Sequence, residues 1–146
     1  MGYELQSLLR IRLAARQAVA KAQEALDTRK QELAEYNRTR EERRDRIYAT
    51  VMGRAVTREQ LDLAQEGVAR IDEEGALKAD NVARAQTDLH AREEAAAVAH
   101  GNFITASKNR MKIDEHKADW LIRDAKEQDA RAEGELEDFT GRKQDD

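Results

Sequence analysis

The chain has no cysteine and no proline, and only 4% of its residues are aromatic. Without cysteine there is neither a disulfide framework nor a thiolate site. Without proline, nothing of that kind interrupts a long helix. With so few large apolar side chains, a thick layered core is not expected. No apolar run approaches the ~20 residues that span a bilayer, so no membrane insertion is expected. The opening MGYELQ lacks a charged segment followed by an apolar one, and no secretory leader is expected. Gly2 lacks the Ser or Thr at position 6 that myristoylation requires, Gln6 standing there. There is no phosphate-binding glycine loop, nucleophile elbow or His-Glu-x-x-His sequence. The three histidines are His90, His100 and His116, and the first two fall on different helix faces. Neither a metal nor another cofactor is expected. Carboxylates without a pocket to desolvate them give no acid–base chemistry, so the chain is not expected to be an enzyme.

What is present is charge and helix formers. Charged residues make up 38% of the 146, and Ala, Arg, Glu, Gln, Lys, Leu and Asp dominate. That composition, with apolar residues at helical spacing, marks a coiled coil rather than a disordered chain. Charge is divided unevenly: residues 1–58 sum to +5 and residues 59–146 to −9. A basic arm and an acidic arm suit antiparallel pairing with attractive flanks. The acidic balance and scarce aromatics argue against nucleic acid as a partner.

Two seven-residue rows run along the first arm. Leu5, Arg12, Val19, Leu26, Leu33, Arg40 and Ile47 form one. Leu8, Ala15, Ala22, Arg29, Tyr36, Arg43 and Thr50 form the other. In the second arm the rows start at Val68 and Ile71 and hold register across Gly75 to Lys117 and Trp120, predicting continuous helix there. The break falls at VMGRAVTREQL, residues 51–61. Gly53 can end a helix, and Thr57 with Gln60 forms a capping box. The expected fold is all-α: one long antiparallel two-helix coiled-coil hairpin over residues 1–146, with its turn near residues 52–57. Arm one covers about 3–52, and the longer arm two about 58–140. Residues 141–146 are expected to be a frayed tail. A turn there pairs positions whose numbers sum to about 110 and sets Leu8 near Asn102 and Phe103. It leaves roughly 30 residues of arm two overhanging, about 45 Å.

Both ends at the open side of this hairpin carry apolar residues beyond what a seam can use. Leu8, Leu9, Ile11 and Leu13 span too wide an arc for one seam, and Trp120, Leu121 and Ile122 are consecutive. Leu136 and Phe139 follow in an acidic stretch. The surplus at residues 8–13 either packs on the second arm and its overhang or offers a surface to a partner. Near the turn, Arg38, Arg40, Arg43, Arg44 and Arg46 either face an acidic partner or form a solvated face with Glu41, Glu42 and Asp45.

The stretch LLRIRLAARQAVAKAQEAL, the glycine-bearing break after about fifty residues and the closing KADWLIRDAKEQDARAEGELEDF together resemble the type III secretion stalk family, the YscO-like proteins and their flagellar counterpart FliJ. The resemblance covers nearly the whole chain. It implies a coiled-coil hairpin in the bacterial cytoplasm, similar to the central stalk of rotary ATPases. Such a stalk associates with the hexameric secretion ATPase, promotes its assembly or activity and links it to the export-gate protein. Some members bind chaperones of export substrates. On this reading Leu8, Leu9, Ile11, Arg12, Leu13, Trp120, Leu121 and Ile122 are the candidate ATPase-binding residues. Arg38, Arg40, Arg43, Arg44 and Arg46 are the candidate export-gate-binding residues. The rival expectations are an adaptor coiled coil acting as a dimer or four-helix assembly, a chaperone-escort protein without ATPase coupling, and a membrane-surface helix at the start. The last is weakened because alanines replace bulky residues after Leu13.

Overall fold

Dense helix formers, no proline and a single well-signalled break produce two helices. The computed structural model describes residues 2–145, with side-chain surroundings for residues 4–139. Helix α1 is Gly2–Ala49 and helix α2 is Arg58–Asp145. At 1.5 Å per residue they are about 72 Å and about 130 Å long. Three of the four ends suit the helix dipole: Glu4 lies in the first turn of α1, Arg46 in its last, and Glu59 in the first turn of α2. The side chains of the expected frayed tail, 141–146, lie outside the described residues.

The turn is built as its sequence dictates. The Thr50 and Val51 amides donate to the carbonyls of Ile47 and Tyr48, closing α1. Gly53 has φ 68°, the left-handed conformation that disfavours a side chain. The capping box forms in both directions. The Gln60 amide donates to Thr57 Oγ1 at 3.2 Å, and the Thr57 amide donates to Gln60 Oε1 at 3.0 Å.

The helices pack side by side along a seam. Every member of the row from Leu5 to Ile47 is buried or half-buried. The second row holds through Tyr36 except at Arg29, which is exposed. Beyond Tyr36 it shifts. Arg43 and Thr50 are exposed, and Arg44 and Val51 are half-buried in their place. The seam thus steps by four from Tyr36 to Arg40 and by four again to Arg44, the spacing that locally unwinds a coiled coil. On α2 the seam is uninterrupted through Gly75 and fades after Ala106.

The register differs from the expected one. Arg12, not Leu8, lies over Phe103, with its guanidinium carbon 5.0 Å from the ring centroid. Ile47 packs against Gly67, where a Cβ would stand 3.1 Å from Ile47 Cδ1. Helix α1 therefore ends opposite the third turn of α2, and the first two turns of α2 project past it beside residues 50–57. At the other end, Glu4 and Leu5 line a shallow cleft with Ala106, Asn109, Arg110 and Ile113. Past Ile113, α2 is a single helix.

The interior is thin. Ala22, Leu26 and Leu89 form its centre, with Val19, Val82 and Ala85 packed around them. The accessible surface is 12143 Å², against about 7,600 Å² for a compact protein of this mass. The molecule is a rod.

Candidate functional site

Tyr36 is the most elaborate point of the seam. It is only 5% exposed, and its hydroxyl donates to the Ile71 carbonyl at 2.6 Å. That approach needs Gly75, where a Cβ would lie 3.3 Å from Tyr36 Cε1 and 3.4 Å from Arg40 Nη1. The ring is flanked by the Arg43 guanidinium at 5.4 Å and the Lys78 ammonium at 5.5 Å. Burial, followed by the neighbouring Glu74 carboxylate, raises the Tyr36 pKa, with Arg43 and Arg40 opposing in part. Beside it, Arg40 Nη2 meets Asp72 Oδ1 at 2.6 Å across the two helices. That hydrogen bond holds the Asp72 carboxyl below its ordinary value.

Arginine is thus a seam residue here. The Nε atoms of Arg12, Arg40 and Arg44 are buried without hydrogen-bond partners. Arg12 and Arg40 reach across to α2, Arg12 over the Phe103 ring and Arg40 to the Asp72 carboxylate. Of the five arginines near the turn, Arg40 and Arg44 belong to the seam. Arg38, Arg43 and Arg46 are exposed. The cross-helix partner is Asp72, which the local acids Glu41, Glu42 and Asp45 do not replace.

At the open end the apolar surplus divides. Leu8 and Arg12 are half-buried in the seam, whereas Leu9, Ile11 and Leu13 are exposed, Ile11 by 55%. They do not fold back onto α2. Trp120, Leu121 and Ile122 are also exposed, Trp120 by 63%. The two groups are not brought together. Trp120 lies 17 residues beyond Phe103, about 25 Å along the helix. From Lys108 to Phe139, Asp124 alone is half-buried and every other side chain is exposed.

One surface escapes sequence reasoning. At the hairpin tip Tyr48, Met52, Leu61 and Leu63 are exposed, and a shallow groove there is lined by Arg46, Ile47, Val51, Gln60 and Leu63. The available signal was that Met52 and Leu63 fit neither seam row. Among the described residues this groove and the cleft at the open end are shallow and open to solvent. Among the described residues no cluster of acidic, His or Cys side chains could hold a metal, and no helix is long and apolar enough to cross a membrane. His90 sits 3.2 Å from Glu94 in an exposed pair on one helix face.

Compared with known families, residues 10–142 match the family model described as Type III secretion protein YscO. No curated protein and no solved structure matches the chain.

Proposed function

Because the chain belongs to the YscO family of type III secretion proteins, we propose that it is a non-enzymatic central stalk that binds the hexameric secretion ATPase. In that role it promotes assembly or activity of the ring and links it to the export gate, at the cytoplasmic face of the apparatus. A stalk must be thin, stiff along its axis and bonded sideways to a ring. The paired helices answer the first two needs. The observation that carries the third is the exposure of Leu9, Ile11 and Leu13 outside the seam, flanked by Arg10 and Arg16. Burying such side chains against a partner is worth ~1.5–3 kcal/mol each. Trp120, Leu121 and Ile122 extend the apolar contact further along the same end. At the opposite end the outward arginines Arg38, Arg43 and Arg46 offer charge to an acidic face of the gate.

The test is to add the pure protein to its cognate ATPase and follow hexamer formation and hydrolysis. The wild type raises both. Leu9→Ala/Ile11→Ala/Leu13→Ala keeps its helicity and loses the stimulation, because none of the three side chains supports the hairpin. Absence of any effect with the wild type overturns the stalk reading and favours an adaptor coiled coil.

A further inference from the structure

The step of the seam past Tyr36 is built from duplicated residues. From Leu8 to Tyr36 the second row of α1 keeps its seven-residue spacing, and its next members would be Arg43 and Thr50. In the structure Arg44 and Val51 are half-buried in their place. The displaced residue and the chosen one are chain neighbours in both cases. Arg43 and Arg44 are identical. Thr50 and Val51 have nearly the same shape, each branched at Cβ. Arg40 and Ile47 belong to both arrangements. At 100° per residue, a seam through Arg40, Arg44, Ile47 and Val51 is centred about 50° round the helix from one through Arg40, Arg43, Ile47 and Thr50.

The exchange changes little else. Arg44 Nε is buried without a hydrogen-bond partner, so no bond at that atom holds Arg44 inward in preference to Arg43. Turning Arg43 inward gives up its position over the Tyr36 ring, while Lys78 on α2 keeps its own at 5.5 Å. The Thr50 hydroxyl already donates to the Ile47 carbonyl at 2.6 Å, so it turns inward with its hydrogen bond made. Ile47 faces Gly67, which has no side chain to block its swing. On one side the motion is stopped by the Tyr36 hydroxyl on the Ile71 carbonyl and by Arg40 on Asp72. On the other side residues 50–57 are not helical, and Gly53 has φ 68°. A twist of α1 therefore ends in the turn and is not passed to α2.

We infer that the last turns of α1 are a rotary switch: with Tyr36 and Arg40 as the fixed anchor, residues 41–51 pack in either of two seams, Arg44 and Val51 inward in one, Arg43 and Thr50 inward in the other. Thr50 and Val51 both line the groove at the hairpin tip, beside Arg46, Gln60 and Leu63. The turn of about 50° changes which of them faces α2. It also carries Arg46 and the exposed Tyr48 round with it. A contact at the tip that fits only one arrangement draws the population to it. The inference rests on the seam alone and holds whether or not the chain serves as a stalk.

Charge reversal in the full chain separates a switch from a fixed seam. Arg43→Glu and Arg44→Glu are each tolerated, because the remaining arginine takes the inward place. Arg43→Glu/Arg44→Glu leaves none, and its effect on the unfolding equilibrium constant exceeds the product of the single effects by about tenfold. Single effects that simply multiply, with nearly all of the loss in Arg44→Glu, overturn the inference. The absence of native cysteine lets the rotation itself be read. Thr50→Cys and Val51→Cys are compared by their rates of reaction with a maleimide, with and without Arg44→Glu. When Arg44→Glu is added, Val51→Cys reacts about threefold faster and Thr50→Cys about threefold more slowly. A loosened turn raises both rates, and a fixed seam leaves both unchanged. Either result overturns the inference.

Discussion

At the residue scale the seam turns on Tyr36. Its ring fills space that Gly75 leaves open, and its hydroxyl finds a carbonyl on the opposite helix. A glycine inside a helix costs ~1 kcal/mol relative to alanine. Here that cost is offset by admitting the largest buried side chain of the core. The Ile71 carbonyl keeps its place in the α2 ladder without Tyr36, so losing the hydroxyl costs one hydrogen bond. Tyr36→Phe is expected to lower the unfolding free energy by about 1 kcal/mol, read from urea midpoints at neutral pH. The pKa has a further consequence. A phenol whose folded value is raised binds its proton more tightly when folded. Its contribution is therefore complete below the ordinary value of 10.0 and is lost as pH rises through the raised value. Thermal melts through this alkaline range are expected to fall more steeply for the wild type than for Tyr36→Phe. Parallel curves would show that Tyr36 does not titrate in this way.

At the element scale the helix boundary at Thr57 carries its own prediction. Thr57→Ala removes the acceptor for the Gln60 amide and is expected to cost about 1 kcal/mol, measured by chemical denaturation. The capping box, both arms, the continuity through Gly75 and the seam down to Tyr36 were legible in the sequence, because apolar periodicity and cap chemistry are local signals. The seam beyond Tyr36 was not. Arg43 and Arg44 are adjacent and identical, so hydropathy cannot say which of them packs inward. The register was missed for a different reason. The turn fixes where α1 stops, but not how far α2 runs before the two meet, and Ile47 meets Gly67. That offset also bares Leu61 and Leu63 at the tip. At the open end, the excess of residues 8–13 over one seam was legible. Their separation from Trp120 follows from a register that only packing reveals.

At the scale of the whole molecule, stability is spread along a line. Among the described residues the buried cluster is Ala22, Leu26 and Leu89, so each stretch of seam depends on its immediate neighbours. Residues 4–49 and 64–113 lie along a partner helix within the chain, and past Ile113 α1 no longer lies beside α2. Backbone amides of α2 are expected to show strong hydrogen-exchange protection from Val68 to Ala99 and much weaker protection from Asp114 to Ala132 at low protein concentration. Uniform protection along α2 would contradict the division.

The point opposite Ile113 is also a mechanical boundary. Two helices bound side by side resist bending in their common plane far more than one helix does. A sideways load on the far tip therefore flexes the chain just beyond that point, not along the paired shaft. Twist applied to the shaft would reach the tip through one backbone instead of two. In the stalk role proposed above, the hairpin is a stiff shaft ending in a compliant coupling, able to follow an off-centre seat without prying its own arms apart.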